Sequence, residues 1–162
     1  NASSLVLRKK QKTSALTVSG MVSGDYVKAV TSGNKKFVKV VRFTKNGKIT
    51  LQAQKKTGKT TLTIQLANGA KKTIKVKVQA GKVKTSKISI TKKVRIKKGK
   101  KLKLKPALTP ITSQEKITFT SSNKKVVTVT SKGVIKAKKP GKAKITVKSG
   151  KKKVTVTVTV TK

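Results

Sequence analysis

Apolar residues recur at every second position over most of this chain. In "KKTIKVKV", Ile74, Val76 and Val78 point one way and Lys75 and Lys77 the other. In "KKLKLK", Leu102 and Leu104 oppose Lys101, Lys103 and Lys105. "GKAKITVKSG" sets Ala143, Ile145 and Val147 against Lys144, Thr146 and Lys148, and the tail alternates Val and Thr from Val154 to Val160. Period 2 with β-branched residues predicts half-buried antiparallel strands, each with one face on a core. Turn signals separate them: Asn46-Gly47, Asn68-Gly69, Lys132-Gly133, Pro140-Gly141 and Ser149-Gly150. No segment carries a convincing helical period. Several short strands with a turn every eight to twelve residues predict a β-sandwich or barrel.

The pattern also repeats. "SGNKK" at 32–36 matches "SSNKK" at 121–125, and "TGKTTLTI" at 57–64 matches "PGKAKITV" at 140–147. "GAKKTIKVKV" at 69–78 corresponds to "GKKKVTVTV" at 150–158 with one residue slipped. A period of roughly 80 residues is too long for a solenoid unit and suits a duplicated small all-β domain. The joint is expected within "QAGKVKTSK", residues 79–87, and the two domains at 1–80 and 86–162.

The second copy reads "KISITKKVRIKKGKKLKLKPALTP", then "ITFTSSNKKVVTVTSKGVIKAKKPGKAKITV", then "KKVTVTV". It resembles the bacterial immunoglobulin-like domain, group 2, found in surface and secreted bacterial proteins including the invasin and intimin kind. The resemblance rests on the leading strand, Gly99, and the block Ser121, Ser122, Asn123, Val127, Val129, Gly133, Ile135, Ala137, Gly141, Ala143, Ile145 and Val147. The first copy is divergent. Its "SGNKKFVKV", "NGKITLQAQKKTGKTTLTI" and last strand fit, but its first third is shorter and lacks "KKGKKLKL". The resemblance implies two tandem immunoglobulin-like antiparallel β-sandwiches and a non-catalytic role in stalks and adhesins.

Composition then limits the chemistry. Of 162 residues 34% are hydrophobic and 2% aromatic, so the cores must be aliphatic, with Phe37, Phe43, Phe119 and Tyr26 as the large rings. Forty-four basic residues face Asp25 and Glu115, a formal charge of +42. High charge at modest hydrophobicity ordinarily signals disorder; the strict alternation outweighs it, because a disordered chain has no reason to alternate. A folded protein of this mass exposes roughly 8,000 Å², placing neighbouring cations about 13 Å apart. That exceeds the Debye length of about 8 Å at physiological salt, so folding is expected in saline.

With no His and no Cys, the usual general base, thiolate nucleophile and best metal ligands are missing. Asp25 and Glu115 fall in different repeats, which removes the carboxylate pair of a glycosidase and the cluster a calcium site needs. No catalytic residue, metal or cofactor is expected. The absence of Cys leaves the redox compartment open, and no apolar run approaches the roughly 20 residues of a membrane span. The chain starts at Asn1 without a signal-peptide apolar segment and reads as a monomeric piece of a larger extracellular or cell-surface bacterial protein.

The densest basic run is "TKKVRIKKGKKLKLKP", with Lys92, Lys93, Arg95, Lys97, Lys98, Lys100, Lys101, Lys103 and Lys105. These residues are the candidate polyanion-binding face, for teichoic acid, other anionic polysaccharide or host glycan. The competing reading is a solvated sheet face whose lysines discourage edge-to-edge aggregation, or a compositional bias. Nucleic acid is expected only as a non-specific ligand. Three arginines offer few forks for guanine, no aromatic ladder is available for stacking, and the cations spread over both repeats. The alternative role is that of accessory spacer domains in a larger secreted, carbohydrate-active enzyme.

Overall fold

The structure is a computed structural model that describes residues 2–162. The chain divides into two compact units. Unit 1 comprises residues 1–83 with 110–113, and unit 2 comprises 84–109 and 114–162. Every regular element among the described residues is a strand.

Unit 1 contains β1 (Ser4–Arg8), β2 (Lys12–Thr17), β3 (Val27–Ser32), β4 (Val38–Phe43), β5 (Lys48–Ala53), β6 (Gly58–Leu66) and β7 (Lys71–Gln79). They form a four-stranded sheet, β1-β7-β6-β3, and a three-stranded one, β2-β5-β4. One face of each sheet supplies the core: Leu5, Leu7, Leu62, Ile74 and Val76 from the first, Leu16, Val38, Ile49 and Leu51 from the second. Each of these nine is nearly inaccessible to solvent. Alternation therefore does what the sequence pattern required, sending Lys75 and Lys77 outward between Ile74, Val76 and Val78. Two aliphatic sheet faces packed in this way form a sandwich.

Unit 2 repeats both sheets and adds a short strand pair. Its elements are β8 (Lys87–Ser89), β9 (Lys93–Lys97), β10 (Lys101–Lys103), β11 (Ala107–Thr109), β12 (Ile117–Ser121), β13 (Val127–Val129), β14 (Val134–Ala137), β15 (Gly141–Ser149) and β16 (Lys152–Thr161). The sheets β9-β16-β15-β12 and β10-β14-β13 have the same order as their counterparts in unit 1. Ile135, Ala137, Ile145, Val147, Val156 and Val158 fill the space between them. The short pair β8 and β11 has no equivalent in unit 1.

Register corrects three sequence readings. Not all pairing is antiparallel: β1 runs parallel to β7, and β9 to β16. Alternation reports which face a residue occupies, and strand direction leaves no mark on it. Second, Gly58 pairs with Val78 and Gly141 with Val160, so Ile74, Val76 and Val78 correspond to Val156, Val158 and Val160. That lies two residues beyond the sequence match, and a slip of two preserves every inward and outward assignment. Third, the turn that opens the "KKGKKLKL" segment, at residues 97–101, does have a counterpart in unit 1, at residues 8–12. The N–H of Lys9 donates to the Gln79 carbonyl at 2.8 Å, and that of Lys98 to Thr161 at 2.9 Å. Gln11 N–H then reaches Arg8 C=O, as Lys100 N–H reaches Lys97 C=O.

In that shared turn Lys10 stands at φ 64° where unit 2 has Gly99 at φ 81°. The left-handed region costs a side-chain-bearing residue about 1–2 kcal/mol, while glycine adds unfolded-state entropy of roughly 0.5–1 kcal/mol. Lys10→Gly is therefore expected to raise the melting temperature of unit 1 by a few degrees. A lowered value in thermal unfolding would show that the Lys10 side chain contributes more than its backbone strain costs.

The two "NKK" turns are built alike. Asn34 Oδ1 accepts the Lys36 N–H at 2.9 Å, and Asn123 Oδ1 accepts the Lys125 N–H at 3.0 Å. A side-chain carbonyl thus takes a donor two residues on, the local bond that suits Asn to this position. The hairpins β4–β5 and β13–β14 share a second device. Thr44 Oγ1 accepts from Lys48 N–H and Thr130 Oγ1 from Val134 N–H, both at 3.1 Å.

Candidate polyanion-binding surface

Both carboxylates serve the backbone. Asp25 Oδ1 accepts from Tyr26 N–H at 2.9 Å and from Asn68 N–H at 3.3 Å, tying two loops of unit 1 together. Glu115 Oε2 accepts from Thr85 N–H at 2.7 Å within unit 2. Among the described residues no cluster of acidic side chains could hold a metal. A cleft of about 250 Å³ at one end of unit 1 is lined by aliphatic side chains, Leu16 and Ile74 among them, with Lys71 and Lys72 as its charged groups.

The nine candidate residues are all exposed, but they do not form one face. Lys93, Arg95 and Lys97 alternate outward on β9, in the four-stranded sheet, with Lys92 just before them. Lys101 and Lys103 lie on β10, in the other sheet of the sandwich, where Lys101 pairs with Lys136. Lys98 and Lys100 belong to the turn that joins the two sheets, and Lys105 follows β10. A run contiguous in sequence is thus split across the two outer faces, because the turn between β9 and β10 carries the chain from one sheet to the other.

What the four-stranded sheet assembles instead comes from three distant segments. Across β15, β16 and β9, Lys142 pairs with Thr159 and Thr159 with Arg95. One step along, Lys144 pairs with Thr157 and Thr157 with Lys93. Further along, Thr146 pairs with Thr155, and Lys148 with Lys153. All of these point away from the core, since Ala143, Ile145, Val156, Val158 and Val160 between them are buried. The face is a column of threonines flanked by two columns of cations. Neighbouring strands are about 4.8 Å apart, so the cation columns stand about 10 Å from each other; successive outward residues follow at about 6.7 Å.

The equivalent face of unit 1 is arranged the other way round. Its central strand β7 carries Lys75 and Lys77, while β1 beside it offers Ser4 and Val6. On the other side Lys59 lies directly opposite Lys77, a like-charge pairing that costs stability. Lys142 and Lys144 are not among the sequence candidates. Alternation places them outward, but only the register of β15, β16 and β9 sets them across from Arg95 and Lys93.

Residues 83–160 match the family model of the bacterial Ig-like domain (group 2). Unit 2 is a group 2 bacterial Ig-like domain. Domains of this family are typically non-catalytic modules. In this Ig-like domain Asn123 makes the turn bond described above, and Gly133 stands at φ 77°. Among solved structures, domains 5–6 of the S-layer protein SbsC are 22% identical, with 100% of this chain and 96% of that one covered at a TM-score of 0.47. The C-terminal 282-residue fragment of intimin, solved with the intimin-binding domain of its translocated receptor, is 18% identical. That match covers 89% of this chain and 55% of the fragment, at a TM-score of 0.35. A GH10 xylanase from termite gut that contains a bacterial Ig-like domain is 23% identical over 42% of this chain and 18% of its own, TM-score 0.35. No curated protein sequence matches the chain.

Proposed function

We propose that this chain is a non-catalytic segment of a bacterial surface or secreted protein, in which two Ig-like sandwiches, the first a divergent copy, form a stalk. Their basic outer faces hold the stalk against an anionic polymer of the cell envelope. One observation carries this reading: 44 cations and two carboxylates stand on aliphatic sandwiches whose outer faces present lysine and threonine. Both carboxylates are engaged by backbone N–H groups, which leaves the outer faces cationic. Such a surface attracts a polyanion over a Debye length, and rigid sheets hold its charges at fixed spacing.

The test is co-sedimentation of the chain with purified bacterial cell walls, intact or stripped of their anionic polymers, at about 0.15 M salt. Retention on intact walls and loss on stripped ones is the expected result. Equal retention on both, or none on either, would overturn the reading.

A further inference from the structure

The face built by β15, β16 and β9 goes further than general basicity. We propose that it is a track for a linear polyol-phosphate polymer, a chain of hydroxyl-bearing alcohol units joined by phosphodiesters. The polymer lies along β16, with its phosphates held by Lys142 and Lys144 on one side and by Lys93, Arg95 and Lys97 on the other. This inference rests on the reading that the basic faces hold an anionic polymer, and it assigns the place and the ligand chemistry.

Spacing is the first argument. Outward residues on a strand repeat at about 6.7 Å. A polymer whose repeat contains six backbone bonds spans about as much as two extended residues of three bonds each, about 7 Å. One phosphate per repeat then stays in step with the successive cations Lys142 and Lys144 on β15 and Lys93, Arg95 and Lys97 on β9. The second argument is the floor. Thr155, Thr157 and Thr159 each offer a hydroxyl that donates once and accepts twice, suited to polyol hydroxyls and phosphate oxygens alike. Their methyl groups keep the centre flat and uncharged, so a polyanion meets cations from its sides and is not crowded off its axis. The third argument is what the face lacks. Val, Ala, Thr, Lys and Arg make up these three strands from Lys142 to Lys148, Val154 to Thr161 and Lys93 to Lys97, with only Ile added. No ring is present for nucleobases to stack on, which disfavours single-stranded nucleic acid despite its similar phosphate spacing. Unit 1, whose cations Lys75 and Lys77 occupy the central strand β7 with Ser4 and Val6 on the β1 side and Lys59 opposite Lys77 on β6, does not form such a track.

The experiment compares the whole chain with two triple variants of equal charge, titrated with fluorescent poly(glycerol phosphate) across a salt series. The track variant is K93Q/R95Q/K144Q. The control, K101Q/K103Q/K136Q, removes three cations from the opposite sheet. Circular dichroism establishes that both remain folded. The track variant is expected to bind at least about tenfold more weakly at 0.15 M salt, with the slope of log K against log salt reduced by about 2, three contacts at about 0.7 each. The control is expected to change affinity less than about threefold. Thr157→Val, which keeps the shape and removes one hydroxyl, is expected to weaken binding a few-fold with the slope unchanged.

Equal losses in both triple variants would overturn the track and leave diffuse polymer binding standing. Absence of binding to poly(glycerol phosphate) by the unaltered chain, with walls still bound, would overturn the ligand assignment. Failure to bind both would remove the reading under Proposed function as well. Single-stranded DNA binding as tightly as the polyol phosphate, and with the same sensitivity to the track variant, would also overturn the assignment.

Discussion

Gly133→Ala is expected to lower the melting temperature of unit 2 by about 12–24 °C, corresponding to roughly 3 kcal/mol for a domain of this size. Two effects coincide at this residue. Its φ is 77°, where an L-side chain pays about 1–2 kcal/mol. A Cβ there would also lie 2.7 Å from Cζ of Phe119, a partly buried ring packed against the core of the unit. Either the ring, which is packed against the core, or the β13–β14 hairpin must shift. A shift of the hairpin would disturb the bond from Leu104 N–H to the Gly133 carbonyl, at 2.9 Å, which fastens β10 to the turn.

Gly99→Ala is the internal control. Gly99 has a similar φ of 81° and nothing within 4 Å of the added atom, so only the backbone cost applies, about 4–16 °C. Thermal unfolding of both variants, with amide exchange in β14 and β15 reporting on unit 2, separates the contributions. Equal shifts would show that contact with Phe119 contributes nothing.

Raising sodium chloride from about 0.01 to 0.15 M is expected to increase the melting temperature by more than about 15 °C, as the Debye length contracts from about 30 to about 8 Å. The surface of 10558 Å² shared among 44 cations gives a mean spacing of about 15 Å. Each neighbouring pair in water then repels by about 0.3 kcal/mol before screening. Summed over several neighbours for each cation this reaches tens of kcal/mol, and the expanded unfolded chain relieves part of it. Screening therefore restores several kcal/mol to the folded state. A melting temperature insensitive to salt would show that the cations are neutralised in some other way.

The layout of both sandwiches was legible in the sequence because most core positions are apolar and most outer ones polar, with exceptions such as the buried Ser149 and the exposed Leu102. Ile74, Val76 and Val78 are buried as their alternation requires. Features encoded by pairing across the chain were not legible. Nothing in a period of two separates the sequence match of "GAKKTIKVKV" from the true one two residues later. The counterpart of Gly99 was hidden because Lys10 adopts the same backbone region with a different side chain. Thr44 and Thr130 support equivalent hairpins through a hydroxyl that sequence reading counts only as an outward polar group. The candidate surface suffered most. Proximity along the chain joined Lys93 to Lys103, whereas the fold separates them into different sheets and sets Lys93 across from Lys144, about 50 residues away.

The parallel edge pairs give the domains a mechanical character. In unit 1, β1 lies near the start and β7 near the end of the domain, side by side and pointing the same way over Ser4–Arg8 and Lys75–Gln79. Tension applied to the entering and leaving chain pulls these strands past one another along their length. Five residue pairs then carry the load together, where an antiparallel hairpin pulled from its open end would release them singly. In unit 2, β9 and β16 have the same relation over five pairs. Rupture under force is governed by the unfolding rate. Shear across a whole ladder raises the barrier to that step, so each module is expected to unfold more slowly under tension along the chain than one closed by an antiparallel terminal pair pulled from its open end.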